Sequence, residues 1–399
     1  MINIINQNYF LANHAYFLNK NPTKNKNQPI IIHTKKKIKR NPQKLPENFN
    51  LNEFNKYFWD FKPQIYKTLN PDLKTLNNNE LITHYYNKGR YEGRSYNNGI
   101  KIVICCDPWN DNGSFATGGN KALYNLGKLI NEKKHKNIYA KMLVLVEQNN
   151  PNPFCNFFAC RTEINSRTLV IYPDGNYGNP LNAKNVMRWI LLEIGTTYRP
   201  YDICKTWKQN DLVYHWEASN ISKNTKILNT CVIDDIFKNN NIPRKYNSSC
   251  YLIKKRLFYE STISTVHPPD ALCIDNLSKN VIVDAFNKYE KFYCYDLKTF
   301  FIIGAIICGC KVILVPDSRN KSEYISESVF RDFEKINCFF AWGEEDLSSI
   351  NYTANDLNDL INYLNNLSKS VDVFLEDVYN YFNSLPVNIP TVNSVYNQK

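Results

Sequence analysis

The residues from Lys291 to Pro316 (KFYCYDLKTFFIIGAIICGCKVILVP) read as a strand, a tight turn, an apolar helix, a glycine stop and a second strand. In such a unit Asp296 and Thr299 fall where the helix is expected to begin. The first N–H groups of a helix have no partner within it, and the helix dipole is positive there. A diphosphate suits that place, held by backbone N–H groups and by the Thr299 hydroxyl. The Asp296 carboxylate would repel phosphate, so capping or contact with sugar or ribose hydroxyls suits it better. The same residues also read as a plain helix start, with Asp296 as N-cap and Gly309 as terminator.

Other residues invite chemistry by their position. Lys184 and Arg188 stand four apart on a helix expected over 183–192, so they share a face that either reaches a cleft or covers the helix surface. Gly118 and Gly119 close the loop NDNGSFATGGN and would let backbone approach a ligand just before a helix; a flexible turn reads the same way. That loop lacks the dinucleotide G-x-G-x-x-G fingerprint and the lysine-hydroxyl ending of a P-loop. Asp234 and Asp235 are adjacent rather than alternating, no Cys-x-x-Cys pair exists, and the six histidines are sparse near the cysteines. No catalytic metal is therefore expected.

The elements that must position these residues alternate from Lys101 onward. KIVICCD is a continuous apolar strand of the kind buried in a parallel sheet. A helix is expected near 121–132, strands over 141–147, 168–172 and 212–216, and a helix over 183–192. Further strands are expected over 226–233, 250–253, 291–295 and 311–315, with helices between them. This rhythm predicts an α/β protein with two doubly wound units and a cleft between them, where such sheets bind ligands. Ahead of them, Leu51, Phe54, Tyr57, Phe58 and Phe61 recur at helical spacing, and a second helix fits 80–88 before Gly89. The expected organisation is a basic lead (1–50), a small helical module (51–98), two Rossmann-like domains (99–218 and 219–366), and a terminal helix and tail (367–399).

Of the 399 residues, 43% are hydrophobic and 14% aromatic, enough to build sizeable cores. The formal charge of +12 raises a nucleic-acid reading, but the lysine runs such as Lys35-Lys36-Lys37 lie in the first 50 residues and no recognition motif accompanies them. No nucleic-acid partner is expected. The twelve cysteines sit partly in apolar strands and read as buried, reduced thiols. Neither a signal peptide nor an apolar run of the ~18 residues a membrane span needs is evident, so a cytoplasmic setting is the expectation.

Ordered motifs carry a resemblance. The segment Tyr295-Asp296 to Thr299-Phe300, closed by Ala305-x-x-Cys308-Gly309-Cys310 and Pro316, resembles the donor-binding stretch of GT-B glycosyltransferases. Val170-Ile-Tyr172-Pro173 through Gly178-Asn179-Pro180-Leu181-Asn182-Ala183-Lys184 to Arg188-Trp189 resembles an amino-domain motif of the same enzymes. Asp211 to Glu217 and Cys250 to Lys255 also fit, and the module with Asn70-Pro71-Asp72-Leu73 and His84 to Arg94 resembles one found beside bacterial and giant-virus members. In that module Asn70, Asp72, Gly89, Gly93 and the Glu92–Arg94 pair read as structural.

The resemblance implies two Rossmann-like domains facing each other across a cleft. It implies transfer of a sugar from a nucleoside-diphosphate sugar to a glycan or protein-linked acceptor. Donor-binding residues would be Tyr295, Asp296 and Thr299, with Lys254 or Lys255 against the phosphates; a solvated pair beside Arg256 is the plainer reading of those lysines. Gly118, Gly119, Asn182, Lys184 and Arg188 would lie on the acceptor or cleft side. Retaining members carry two glutamates eight positions apart; here those positions hold Asp296 and Gly304. Inversion would instead need a base in the first domain, for which Asp107, Asp111 and Asp174 lie at strand ends. A binding scaffold that kept the fold without turnover is the rival reading.

Overall fold

The computed structural model describes residues 51–92, 94–106, 118–144, 159, 164–192, 194–195, 201–217, 226–231, 233–258, 260 and 263–384. The basic lead, Gly93, Asp107, Asp111 and the last residues lie outside this description, as do several side chains within helices, including that of Lys255.

The module begins with α1 (Leu51–Tyr57), α2 (Pro63–Leu69) and α3 (Asn78–His84). Pro63 occupies the first turn of α2, where its missing N–H has no helical partner to lose. Asn77 and Glu80 close a capping box on α3 at 3.0 and 2.7 Å. The core is almost wholly aromatic: Phe54, Phe58, Tyr66, Tyr85, Tyr86 and Tyr96 pack together, with Phe58 and Tyr85 edge to face at 5.2 Å. Gly89 is needed for close approach, because a Cβ there would collide with the Tyr66 hydroxyl. Arg94 pairs with both Glu92 and Asp72 within the module.

A first parallel sheet follows, made of β1 (Ile100–Cys106), β2 (Ile138–Val144), β3 (Thr168–Pro173), β4 (Asn185–Ile190) and β5 (Leu212–His215), in the order β2-β1-β3-β4-β5. β1 is buried at every position, as its unbroken apolar run requires. Helix α4 (Gly118–Lys133) connects β1 to β2 and lays Ala122, Leu123, Leu126 and Ile130 on one face of the sheet.

One expected element is overturned here. Residues 183–192 do not form a helix; most of them are β4, buried along its whole length. An interior strand covered on both faces shows no alternation, so Asn-Val-Met-Arg-Trp-Ile carries no strand period to read. Tertiary burial then overrides the helical leaning of Met187 and Arg188. Residues 226–233 likewise join the sheet by a single bridge, His215 to Ile227, instead of a full strand.

The second sheet contains β6 (Lys245–Leu252), β7 (Leu272–Cys273), β8 (Tyr289–Cys294), β9 (Lys311–Leu314) and β10 (Phe340–Trp342), in the order β10-β9-β8-β6-β7. Helices α5 (Lys279–Lys288), α6 (Phe301–Ile307), α7 (Lys321–Glu327) and α8 (Ala354–Asn366) pack on one face around Phe286, Phe292, Ile306 and Leu364. On the opposite face Tyr293, Tyr295, Ile313 and Ala341 lie under residues of the β6–β7 connection and of the turn after β10.

Numbered from its own first strand, each sheet has the order 2-1-3-4-5, so the chain makes two Rossmann-like units. The direction of winding reverses between β1 and β3 in the first, and between β6 and β8 in the second. Crevices at the carboxyl ends of those strands are where open α/β sheets receive ligands. The last helix, α9 (Ser370–Ser384), returns to the first sheet and buries Val371, Phe374, Leu375 and Val378 in its core. Lys133–Asp372 and Lys226–Asp377 pairs, each at 2.7 Å, line its exposed side. No described helix is long and apolar enough to cross a membrane.

Candidate functional site

The carboxyl ends of β6 and β8 lie side by side: the Tyr295 N–H donates to the Leu252 carbonyl at 2.9 Å. Lys254 and Asp296 therefore stand on the two sides of the second sheet's switch point. Asp296 is buried, and its carboxylate accepts the Lys298 N–H at 3.2 Å while its carbonyl accepts that of Thr299 at 3.1 Å. This tight turn holds the carboxylate at the end of β8. Helix α6 starts only at Phe301, after Phe300 as N-cap, so Asp296 and Thr299 sit in the turn before the helix. The Thr299 hydroxyl lies 3.5 Å from the Phe301 N–H, which leaves it able to bond a ligand instead.

The cations near these strand ends divide into two kinds. Arg256 is buried and spends its guanidinium on the Val315 and Pro316 carbonyls, at 3.3 and 2.8 Å, and on Glu260. Arg319 is bound to Asp317 and to Glu327. Burial works against ionisation of Asp317, but the Arg319 hydrogen bonds hold its carboxyl below the ordinary value. These two arginines fasten the ends of β6 and β9. Lys254 is exposed, and only its backbone is anchored, through N–H bonds from Ile253 and Lys254 to the Asp275 carboxylate at 3.1 and 3.2 Å. Burial raises the Asp275 carboxyl despite those bonds.

At the first sheet, Gly118 and Gly119 open α4, with open space around a Cβ at Gly118 and Leu191 at 3.5 Å from one at Gly119. Asp174 follows β3 and is buried, its Oδ1 accepting the Leu191 N–H at 3.2 Å. Asp107 and Asp111 fall outside the described residues. Three expected cleft residues lie elsewhere. Asn182, at φ +50°, and the exposed Lys184 precede β4 and so lie at the opposite edge of the parallel sheet. Arg188 is locked inside the sheet, bonded to Asp211 at 2.8 Å between the rings of Tyr172 and Trp207. The shared helical face drawn for Lys184 and Arg188 does not exist, because the segment is a strand.

A helix from each sheet meets the segment that joins them. Lys121, in the first turn of α4, and Lys279, the first residue of α5, both reach Asp234 of the segment joining the sheets. Thr230 of that segment donates to the Ala122 carbonyl at 3.2 Å. Burial, together with the charges of Glu217 and Asp296, holds the Tyr324 phenol well above its ordinary range. Sequence reasoning passed over Asp275, Arg319 and the role of Glu217; single charged residues at the ends of short strands carry no local signal.

Among the described residues, no group of three or more His, Cys, Asp or Glu side chains is placed to hold a metal ion. No protein-family model matches the chain, and no curated protein matches it. Among solved structures, it is similar to a protein assigned as a UDP-N-acetylglucosamine 2-epimerase from Listeria monocytogenes, at 10% identity and a TM-score of 0.31, over 72% of this chain and 98% of that one. It is also similar to HepE from Anabaena in complex with UDP-glucose, at 10% identity and a TM-score of 0.28, over 71% of this chain and 100% of that one. Overlap at this level carries nothing about activity.

Proposed function

We propose that the chain is a glycosyltransferase that moves a sugar from a nucleoside-diphosphate sugar to a glycan or protein-linked acceptor. The observation that carries this reading is that Lys254 follows β6 while Asp296 and Thr299 follow β8, two strands whose carboxyl ends lie side by side at the switch point of the second sheet. An exposed ammonium, a hydroxyl with its proton available and a buried carboxylate are what a diphosphate and an adjoining sugar need. Lys254 offers a point charge to the diphosphate, which gains negative charge as the anomeric C–O bond breaks. Thr299 adds a hydrogen bond, and Asp296 takes sugar or ribose hydroxyls. The acceptor oxygen forms the new bond to the anomeric carbon, and its proton passes to a carboxylate of the first sheet's edge, for which Asp174, Asp107 and Asp111 are the candidates.

A nucleotide that binds only the folded chain raises its melting temperature. Thermal shift against UDP, GDP, dTDP and CMP, followed by release of the nucleoside diphosphate from the matching sugar donor, tests the proposal. No shift with any of the four would count against it.

One observation favours a second reading, a nucleotide-sugar-binding scaffold without turnover. Gly304 holds the place of the second acid of retaining members, and a Cβ there would approach Phe237 to 2.7 Å. Packing alone excludes an acidic side chain at that position. Nucleotide binding without sugar transfer or donor hydrolysis would favour the scaffold.

A further inference from the structure

The connection from β6 to β7 begins with Lys254 and is tied to neighbouring strand ends at three described places. Asp275 takes the Ile253 and Lys254 N–H groups, and Arg256 reaches the Val315 and Pro316 carbonyls. The third tie is Tyr295, which directly precedes Asp296. Its ring is fully buried, and its hydroxyl turns toward the connection. The Tyr295 oxygen accepts the Val266 N–H at 2.9 Å, lies 3.4 Å from the His267 N–H, and is 2.7 Å from His267 Nδ1.

One assignment of the protons satisfies all three contacts together. Backbone N–H groups only donate, so both fill acceptor positions on the phenol oxygen. The single Tyr295 proton then goes to Nδ1, and His267 is neutral with its own proton on Nε2. The imidazole also stacks on Tyr251, with centroids 3.7 Å apart and planes 13° apart. Protonation would put a third donor against the Tyr295 oxygen and leave the phenol proton without its acceptor. Burial lowers the His267 pKa, which favours the neutral ring. Two of the rings around it agree: burial pushes the Tyr251 phenol up to about 12 and raises that of Tyr293 as well, so neither brings a charge to the imidazole at neutral pH. Glu344 is bound by Tyr293 and Lys291, and Asp275 by the two N–H groups.

We infer that His267 is a positioning residue for the donor site, holding the Lys254-bearing connection against the end of β8 through Tyr295. The inference rests on the glycosyltransferase reading for its functional half, and on the anchor alone for its structural half. A neutral imidazole is required, so the anchor works only above the imidazole's titration.

Amide hydrogen exchange on the ligand-free full chain, corrected for intrinsic rates, tests the anchor at pH values from 5 to 8. Protection of the Val266 and His267 amides should fall as the pH drops. His267→Gln, whose carboxamide oxygen can accept the Tyr295 proton, should stay protected with little pH dependence. His267→Ala should be unprotected throughout. Titration with UDP, GDP and dTDP, each separately, should show about a tenfold loss of affinity in His267→Ala, the size of one hydrogen bond, and rescue in His267→Gln. Protection that ignores pH in the parent, or survives in His267→Ala, overturns the anchor. A broken anchor with unchanged nucleotide affinity overturns the positioning role. A parent that binds none of the three nucleotides sinks the donor reading, and with it that role, while the exchange result still decides the anchor.

Discussion

Lys141, in the middle of β2, has no exposed surface and sets its ammonium 2.8 Å from the carboxylate of Asp60 in the helical module. The Tyr96 hydroxyl accepts from the same ammonium at 2.9 Å and donates to Asp60 at 2.8 Å. A buried charge on an edge strand of the first sheet is thus paired with a carboxylate of the module.

Removing Lys141 takes the nearest cation from the buried Asp60 carboxylate, and removing Asp60 takes the paired carboxylate from a fully buried ammonium. Lys141→Met should lower the unfolding free energy by ~3–5 kcal/mol, whereas Lys141→Met with Asp60→Leu should recover much of it. Urea unfolding of the two variants measures this; a single variant within ~1 kcal/mol of the parent would show that the pair is dispensable. The pH dependence has a definite sign. Burial opposes ionisation of Asp60, but Lys141 and Lys101 bring its carboxyl below the ordinary value. Its contribution is therefore fully present above the unfolded carboxylate's pKa and is lost as the pH falls through the lower folded value.

Much of the architecture was legible, and the exceptions have physical causes. Continuous apolar runs such as KIVICC and KVIL are strands because no other element buries both faces of so short a stretch. The same property hid β4: with Arg188 and Asn185 among its buried residues, it lacks the run of β-branched residues that marks the others. Arg188 is tolerated there only because Asp211, 23 positions later, arrives beside it. That partnership is tertiary and leaves no local trace. The β6–β8 grouping was visible because Lys254, Asp296 and Thr299 all follow strands, and strand ends are what a parallel sheet brings together.

Arg188 should accordingly behave as a core residue. Arg188→Met, which strands Asp211 at 5% exposure, should cost ~3–5 kcal/mol of stability. The variant, where folded, should bind nucleotide as the parent does. A selective loss of acceptor use in a folded, equally stable variant would return Arg188 to the cleft.

The cysteines give a prediction on redox state. None of the ten described cysteines is in a disulfide, and burial pushes the Cys231 thiol up to about 12 and that of Cys308 up to about 11. Such thiols are poor nucleophiles near neutral pH. Dithiothreitol should leave the melting temperature unchanged. A drop matching the ~2–5 kcal/mol of a native disulfide would require pairing through Cys155 or Cys160, which lie outside the described residues.

Helix α9 should be as necessary to the first sheet as any of its strands. Phe374 is fully buried against Tyr214, edge to face at 5.3 Å, in the core shared with Met187 and Trp189. Phe374→Ala removes a ring from a packed interior and should cost ~3–5 kcal/mol. Chemical denaturation gives the number directly; a loss below ~1 kcal/mol would mean that the helix is only loosely docked.

The donor site offers the sharpest comparison, because its three residues should fail differently. Thr299→Val keeps volume and deletes one hydroxyl, so nucleoside-diphosphate affinity should fall about tenfold to a hundredfold, the ~1.5–3 kcal/mol of a hydrogen bond to a charged group. Lys254→Ala should weaken binding too, and its effect should shrink with added salt, since the side chain is exposed and its charge is screened. Asp296→Asn retains an oxygen for the Lys298 N–H, so the turn at the end of β8 should persist. Binding of the nucleotide alone should then change little, while transfer from the sugar donor falls if the carboxylate holds sugar hydroxyls. Calorimetry with the nucleotide and a transfer assay with its sugar form separate these outcomes. If all three variants bind and turn over like the parent, the donor does not lie at the β6–β8 switch point.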